Sequence, residues 1–85
     1  MFKKGDILKS VDGILFVHDG VEDTNFPQGF IVDEDYNLLG GTYKTSVRNV
    51  KKVGFSKHLS QMSQSEMNNK CRFGGHNGNY YLKEG

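Results

Sequence analysis

The side chains of this chain that could make or break bonds are few and widely spaced. Cys71 and His76 lie five residues apart with His58 upstream, and a thiolate with two imidazoles would suit zinc. Structural zinc takes four such ligands, usually with cysteines paired two to four residues apart, and this chain holds one cysteine. The set therefore reads as a small half-buried thiol and two surface imidazoles. As nucleophile and base, Cys71 and His76 lack a third group to orient the ring and a rigid element to carry them. Asp33-Glu34-Asp35-Tyr36-Asn37 places oxygens as a calcium loop begins, but its sixth position is Leu38 instead of glycine and its twelfth is Lys44 instead of glutamate. What remains is a turn whose acidic side chains bond to nearby backbone. The acidic stretch with Asp19, Glu22 and Asp23 has no ligand spacing and reads as a solvated loop. Gly74-Gly75-His76-Asn77-Gly78 has the composition of a phosphate cradle without the lysine, hydroxyl or strand-to-helix setting of a P-loop. No enzymatic activity, metal or cofactor is expected.

Size agrees with that exclusion. The chain has 85 residues, 35% of them hydrophobic, with eleven glycines, one proline, no tryptophan and no alanine. Residues 1–85 are expected to form one domain, since a chain below about 100 residues has no room for two cores. It buries only roughly 60% of its unfolded surface, so a deep active site would draw apolar residues from a marginal core. The longest apolar run, residues 14–17, falls far short of the roughly 20 residues of a membrane span. With no apolar leader at the N-terminus, a cytoplasmic protein without a membrane partner is expected. A lone Cys71 forms no internal disulfide and fits a reducing compartment.

The elements that must position any site are mostly strands. Period-two patterning predicts strands over residues 6–10, 14–18, 29–33, 39–44 and 50–53, each rich in Val, Ile, Leu or aromatic residues. Val11-Asp12-Gly13 is a tight turn, residues 19–28 are a long loop ending after Pro27, and residues 34–37 are a second turn. Over residues 55–70 the β-branched residues disappear and Ser63-x-x-Glu66 gives a capping-box spacing, which predicts one helix. On a 100° wheel Phe55, Leu59, Met62 and Met67 share one face of it. Residues 71–85 read as a hairpin, with Phe73 on one arm and Tyr80, Tyr81 and Leu82 on the other.

Charge is distributed unevenly. Up to Tyr43, three lysines stand against eight carboxylates, a net of −5; after it, eight cations stand against two glutamates, a net of +6. Such asymmetry builds either a face for an anion or a dipolar surface for a protein.

Phe2-Lys3-Lys4-Gly5-Asp6-Ile7-Leu8 resembles the start of many small SH3-like barrels, where a charged turn leads into the first strand. Thr45-Ser46-Val47-Arg48-Asn49-Val50-Lys51-Lys52-Val53 resembles the short helical turn that joins their last two strands. The resemblance implies a mainly β, α+β chain: an SH3-like five-stranded small barrel over 1–54, a helix over 55–70 and a C-terminal β-hairpin over 71–85. In layout the chain is also similar to a loose group of small, largely uncharacterised proteins of bacteriophages and gut bacteria built as barrel, helix and hairpin. It departs from them in the hairpin, where the group often carries a tryptophan and a proline and this chain has Phe73 and Gly75. That likeness implies an accessory factor that modulates or inhibits a host or defence protein, and it carries over no catalytic residue.

Two binding functions follow. The first is a non-catalytic module that engages another protein through Glu22, Asp23, Phe26 and Tyr36. The second binds a nucleic acid or nucleotide through Arg48, Lys51, Lys52, Lys70, Arg72, Tyr80 and Tyr81, cations interleaved with aromatic rings. A net charge of only +1 weighs against tight non-specific binding and places it second. A homodimer through an edge strand is a further expectation.

Overall fold

The computed structural model describes residues 2–67 and residue 69. Five strands, β1 (Asp6–Ser10), β2 (Leu15–His18), β3 (Gln28–Val32), β4 (Leu38–Lys44) and β5 (Val50–Phe55), form one antiparallel sheet in the order β4-β3-β2-β1-β5. The strands lie within two residues of the sequence reading because the turn chemistry punctuates them. Ser10 Oγ accepts from the N–H of Asp12 and of Ile14, and the Gly13 N–H bonds the Ser10 carbonyl, which closes the β1–β2 turn.

The barrel is not closed: β4 and β5 are the two edges of the sheet and do not pair with each other. Their connection explains this. It contains a 3-10 turn, Val47–Asn49, capped by Ser46 Oγ, and it is tied to the β2–β3 loop by Thr45 N–H to the Pro27 carbonyl (3.3 Å) and Val47 N–H to the Asn25 carbonyl (2.8 Å). The chain is thereby carried away from β4 before it returns beside β1.

Register partners share a face, so Ile7, Val17 and Phe30 lie side by side on one surface of the sheet and Leu8, Phe16 and Ile31 on the other. All six are buried. Strict alternation is absent for this reason, since a strand buried on both faces reads as a continuous apolar run. The first face continues through Val32 to Leu59, Met62 and Met67, which pack on it from the helical segment. On the second, the Phe16 and Tyr43 rings meet at 5.2 Å between centroids. Gly29 is required where β2 and β3 cross most closely, because a Cβ there would strike the Val17 carbonyl oxygen.

One helix over 55–70 does not form. Phe55 ends β5, opposite Asp6, and a one-turn helix α1 (Lys57–Ser60) follows with Ser56 Oγ capping the Leu59 N–H. After a break, residues 64–67 are helical again. The capping box causes the break: Ser63 Oγ accepts from Glu66 N–H at 3.0 Å and Glu66 Oε1 accepts from Ser63 N–H at 3.4 Å, an arrangement that begins a helix and cannot sit inside one. The hairpin expected over 71–85, with Cys71, Arg72, His76, Tyr80 and Tyr81, lies outside the described residues, as does Lys70. Among the described residues no helix is long and apolar enough to cross a membrane.

Candidate functional site

The long β2–β3 loop is built by its own carboxylates. Asp19 Oδ1 accepts from Val21 N–H and its Oδ2 from Gln28 Nε2, both at 2.9 Å, while its carbonyl accepts from Gln64 Nε2 at 3.3 Å. Asp23 Oδ1 accepts from the N–H groups of Asn25 and Phe26 at 3.0 Å each. The Phe26 and Asn25 amides hold the Asp23 carboxyl below the usual carboxylate range, and Lys44 adds a smaller effect in the same direction against slight desolvation. These bonds, with the two that reach the 3-10 turn, fix ten residues that composition alone assigns to a solvated loop.

The fixed loop encloses a cavity of about 260 Å³ lined by Phe2, His18, Val21, Glu22, Asp23, Thr24 and Val47. His18 is one of its walls. The ring is buried, accepts at Nδ1 from Gly20 N–H (3.0 Å) and is tilted against Phe2 at 6.5 Å between centroids. An accepting Nδ1 places the proton on Nε2 in the neutral ring. Burial lowers the His18 pKa, and the charges of Asp19 and Asp6 offset part of that effect. In sequence His18 is only the polar end of an apolar strand, and its one distinguishing signal is that it adjoins the acidic run from Asp19 to Asp23.

Of the protein-binding candidates, Glu22 and Asp23 line this cavity, and Phe26 is 48% exposed on the same loop. Tyr36 stands apart from them. It occupies the β3–β4 turn at φ 67°, packs against the core cluster, and its hydroxyl fills the space that a Cβ on Gly54 would need. In that turn Asp33 Oδ1 accepts from Asp35 N–H (2.8 Å) and Asn37 N–H (2.9 Å), so the carboxylate serves the backbone. Among the described residues no three His, Cys, Asp or Glu side chains are grouped to hold a metal ion.

The basic candidates separate. Arg48 and Lys51 line an open groove of about 620 Å³ together with Lys9, Val11, Asn49, Val50 and Val53. Lys9 comes from the acidic half of the sequence and meets Lys51 because β5 pairs with β1. Lys52 falls on the opposite face, as strand alternation requires. Its Nζ lies 3.1 Å from Asp6 Oδ1 in an ion pair without hydrogen-bond geometry, and 6.0 Å from the Phe55 ring centroid, which Lys3 Nζ approaches to 5.3 Å. Asp6 itself is buried and accepts from Lys3 N–H at Oδ2 (2.9 Å).

The arrangement thus offers two surfaces flanking the 3-10 turn, an acidic and apolar cavity on the Val47 side and a basic and apolar groove on the Arg48 side. No family model, curated protein or solved structure matches the chain.

Proposed function

We propose that the protein is a non-catalytic interaction module whose β2–β3 loop and 3-10 turn grip a segment of another protein. The strand order supports an SH3-like reading of the sheet: a four-stranded meander, a 3-10 turn, and a fifth strand returning beside the first. The observation that carries the functional reading is the loop itself. Asp19 and Asp23 are spent holding its backbone, and the loop so fixed presents Val21 and Glu22 to a preformed cavity and leaves Phe26 exposed on the same loop. A surface ordered before contact loses little conformational entropy on binding, which favours affinity per unit of buried area. Its chemistry fits a partner segment that brings an apolar side chain for the Phe2, Val21 and Val47 walls and a cation for Glu22. Blocking a host or defence protein is the role such a module would play under the layout resemblance.

The test is affinity capture with the full chain and with a Val21→Asp, Glu22→Lys variant, followed by titration of the purified captured protein. The expected outcome is a saturable partner lost from the loop variant and retained by Lys51→Glu. Equal capture by all three chains, or turnover of a substrate that Glu22→Lys abolishes, would overturn the reading.

A further inference from the structure

We propose that the groove bounded by β1, β5 and the 3-10 turn is a binding site for the phosphate backbone of single-stranded nucleic acid. Lys9 and Lys51 are direct cross-strand partners, and Arg48 lines the same groove from the turn. Like charges placed opposite one another in a sheet oppose its formation. The ion pair of the described residues uses Lys52, and no described carboxylate pairs with Lys9, Arg48 or Lys51. Edge protection accounts for a lysine on β5, which borders the sheet. It does not account for Lys9 on the interior strand β1 or for Arg48 on the turn. Three cations converging without a counter-charge among the described residues are completed by an anion.

The remaining walls say which anion. Val11 is 75% exposed and Val53 41%, so apolar surface is open beside the cations. The polar groups nearby are largely taken: Ser10 Oγ accepts from Asp12 and Ile14, and Val11 N–H bonds the Asn49 carbonyl. The outer backbone of β5 is an unpaired edge that a peptide strand could join, but its lysines and the bulge opposite Ile7 and Leu8 are the features that discourage strand addition, whereas a phosphodiester asks only for cations. The valines suit sugars and unstacked bases, which a duplex keeps inside its stack. Among the described residues the groove offers cations and valines to the strand and no aromatic ring, so the expected contacts are to phosphate and sugar, which carry no sequence information.

The experiment is fluorescence anisotropy of a labelled 15-nucleotide oligothymidylate titrated with the full-length chain between 50 and 200 mM NaCl. Three phosphate contacts give a slope of log K against log salt of roughly −2, a loss of roughly 20-fold across that range. Lys51→Glu and Arg48→Glu are each expected to weaken binding about tenfold at 50 mM and to bring the slope to roughly −1. Lys57→Glu makes the same charge change at exposed Lys57 of α1, at the other end of β5, and is expected to bind within twofold of the unaltered chain. Circular dichroism melts establish that all variants are folded. No binding at 50 mM, an equal loss in Lys57→Glu, or displacement of the oligonucleotide by polyglutamate at matched charge would each overturn the proposal. The last outcome would assign the groove to an acidic protein segment.

Discussion

Truncating Leu59 and truncating Phe55 separates two arrangements of the helical segment that share most of their residues. A continuous helix over 55–70 would place Phe55 and Leu59 on one buried face, and the two truncations would then cost similar amounts. In the structure Leu59 is buried against Ile7, Val17 and Phe30, while Phe55 ends β5 and is 43% exposed beside Lys3 and Lys52. Leu59→Ala removes a fully packed side chain and leaves a cavity that the flanking sheet cannot collapse, at a cost of about 3 kcal/mol within the usual 2–5. Phe55→Ala loses roughly half of a phenylalanine's burial and two exposed cation–ring contacts, about 1–2 kcal/mol in all. An 85-residue domain has about 4–13 kcal/mol in total, so both variants fold. Thermal melts followed by far-ultraviolet circular dichroism suit a chain without tryptophan. At about 4–8 °C per kcal/mol, Leu59→Ala is expected to melt roughly 12–24 °C lower than the unaltered chain, and Phe55→Ala roughly one-third to two-thirds as far below it. A Phe55→Ala shift equal to or larger than that of Leu59→Ala would refute the placement of the helices.

Two further outcomes concern buried charge. Lys52→Met removes the ammonium beside the buried Asp6 carboxylate and should cost about 1–3 kcal/mol, less than for a fully buried pair because the lysine is 47% exposed. In a double-mutant cycle with Asp6→Asn, which keeps an acceptor for Lys3 N–H, a coupling of about 1 kcal/mol is expected by urea unfolding; independent effects would show the pair to be idle. For His18 the folded pKa lies below the unfolded one, near 6.5, so the unfolded chain takes up protons first on acidification. Its contribution is complete above that value and lost as the pH falls through the lowered folded one. The melting temperature should therefore fall between pH 7.5 and 5.5 in the unaltered chain and less in His18→Asn, whose Oδ1 can still accept from Gly20; a flat profile would sink this.

The strands were legible because each is bounded by a turn whose residues bond locally, as Ser10, Asp33 and Asp23 do. Which face each residue takes was not. Ile7 and Leu8 are consecutive and both buried, and the runs at 14–17 and 30–32 signal a sheet covered on both sides rather than an alternating one. The helix break is signalled by the capping box at Ser63, which fits the N-terminus of a second helix as well as the interior of a single stretch until its reciprocal bonds are seen. At the candidate sites, Glu22, Asp23 and Phe26 fell on one loop as their adjacency implied, whereas Tyr36 was removed to the core by a turn conformation that no composition rule foretells. Lys9 was missed because its role depends on β5 pairing with β1, a long-range register.

Among the described residues, the opposed charges of the two halves of the chain do not become two opposed faces. Carboxylates of the first half are consumed locally: Asp19 and Asp23 hold one loop, Asp33 holds a turn, and Asp6 is met by Lys52 from the second half. Among the described cations of the second half only Lys52 is in an ion pair, so what survives at the described surface is a basic groove beside a loop whose remaining acidity is largely Glu22. The two surfaces meet at a single 3-10 turn, where Val47 lines one and Arg48 the other. The turn is held by main-chain donors, Val47 N–H to Asn25 and Asn49 N–H to Ser46, and by Arg48 N–H to Ser46 Oγ. Because these bonds do not use the Arg48 side chain, its charge can be reversed without displacing Val47. The acidic cavity and the basic groove are therefore separable by single substitutions although three consecutive residues serve both.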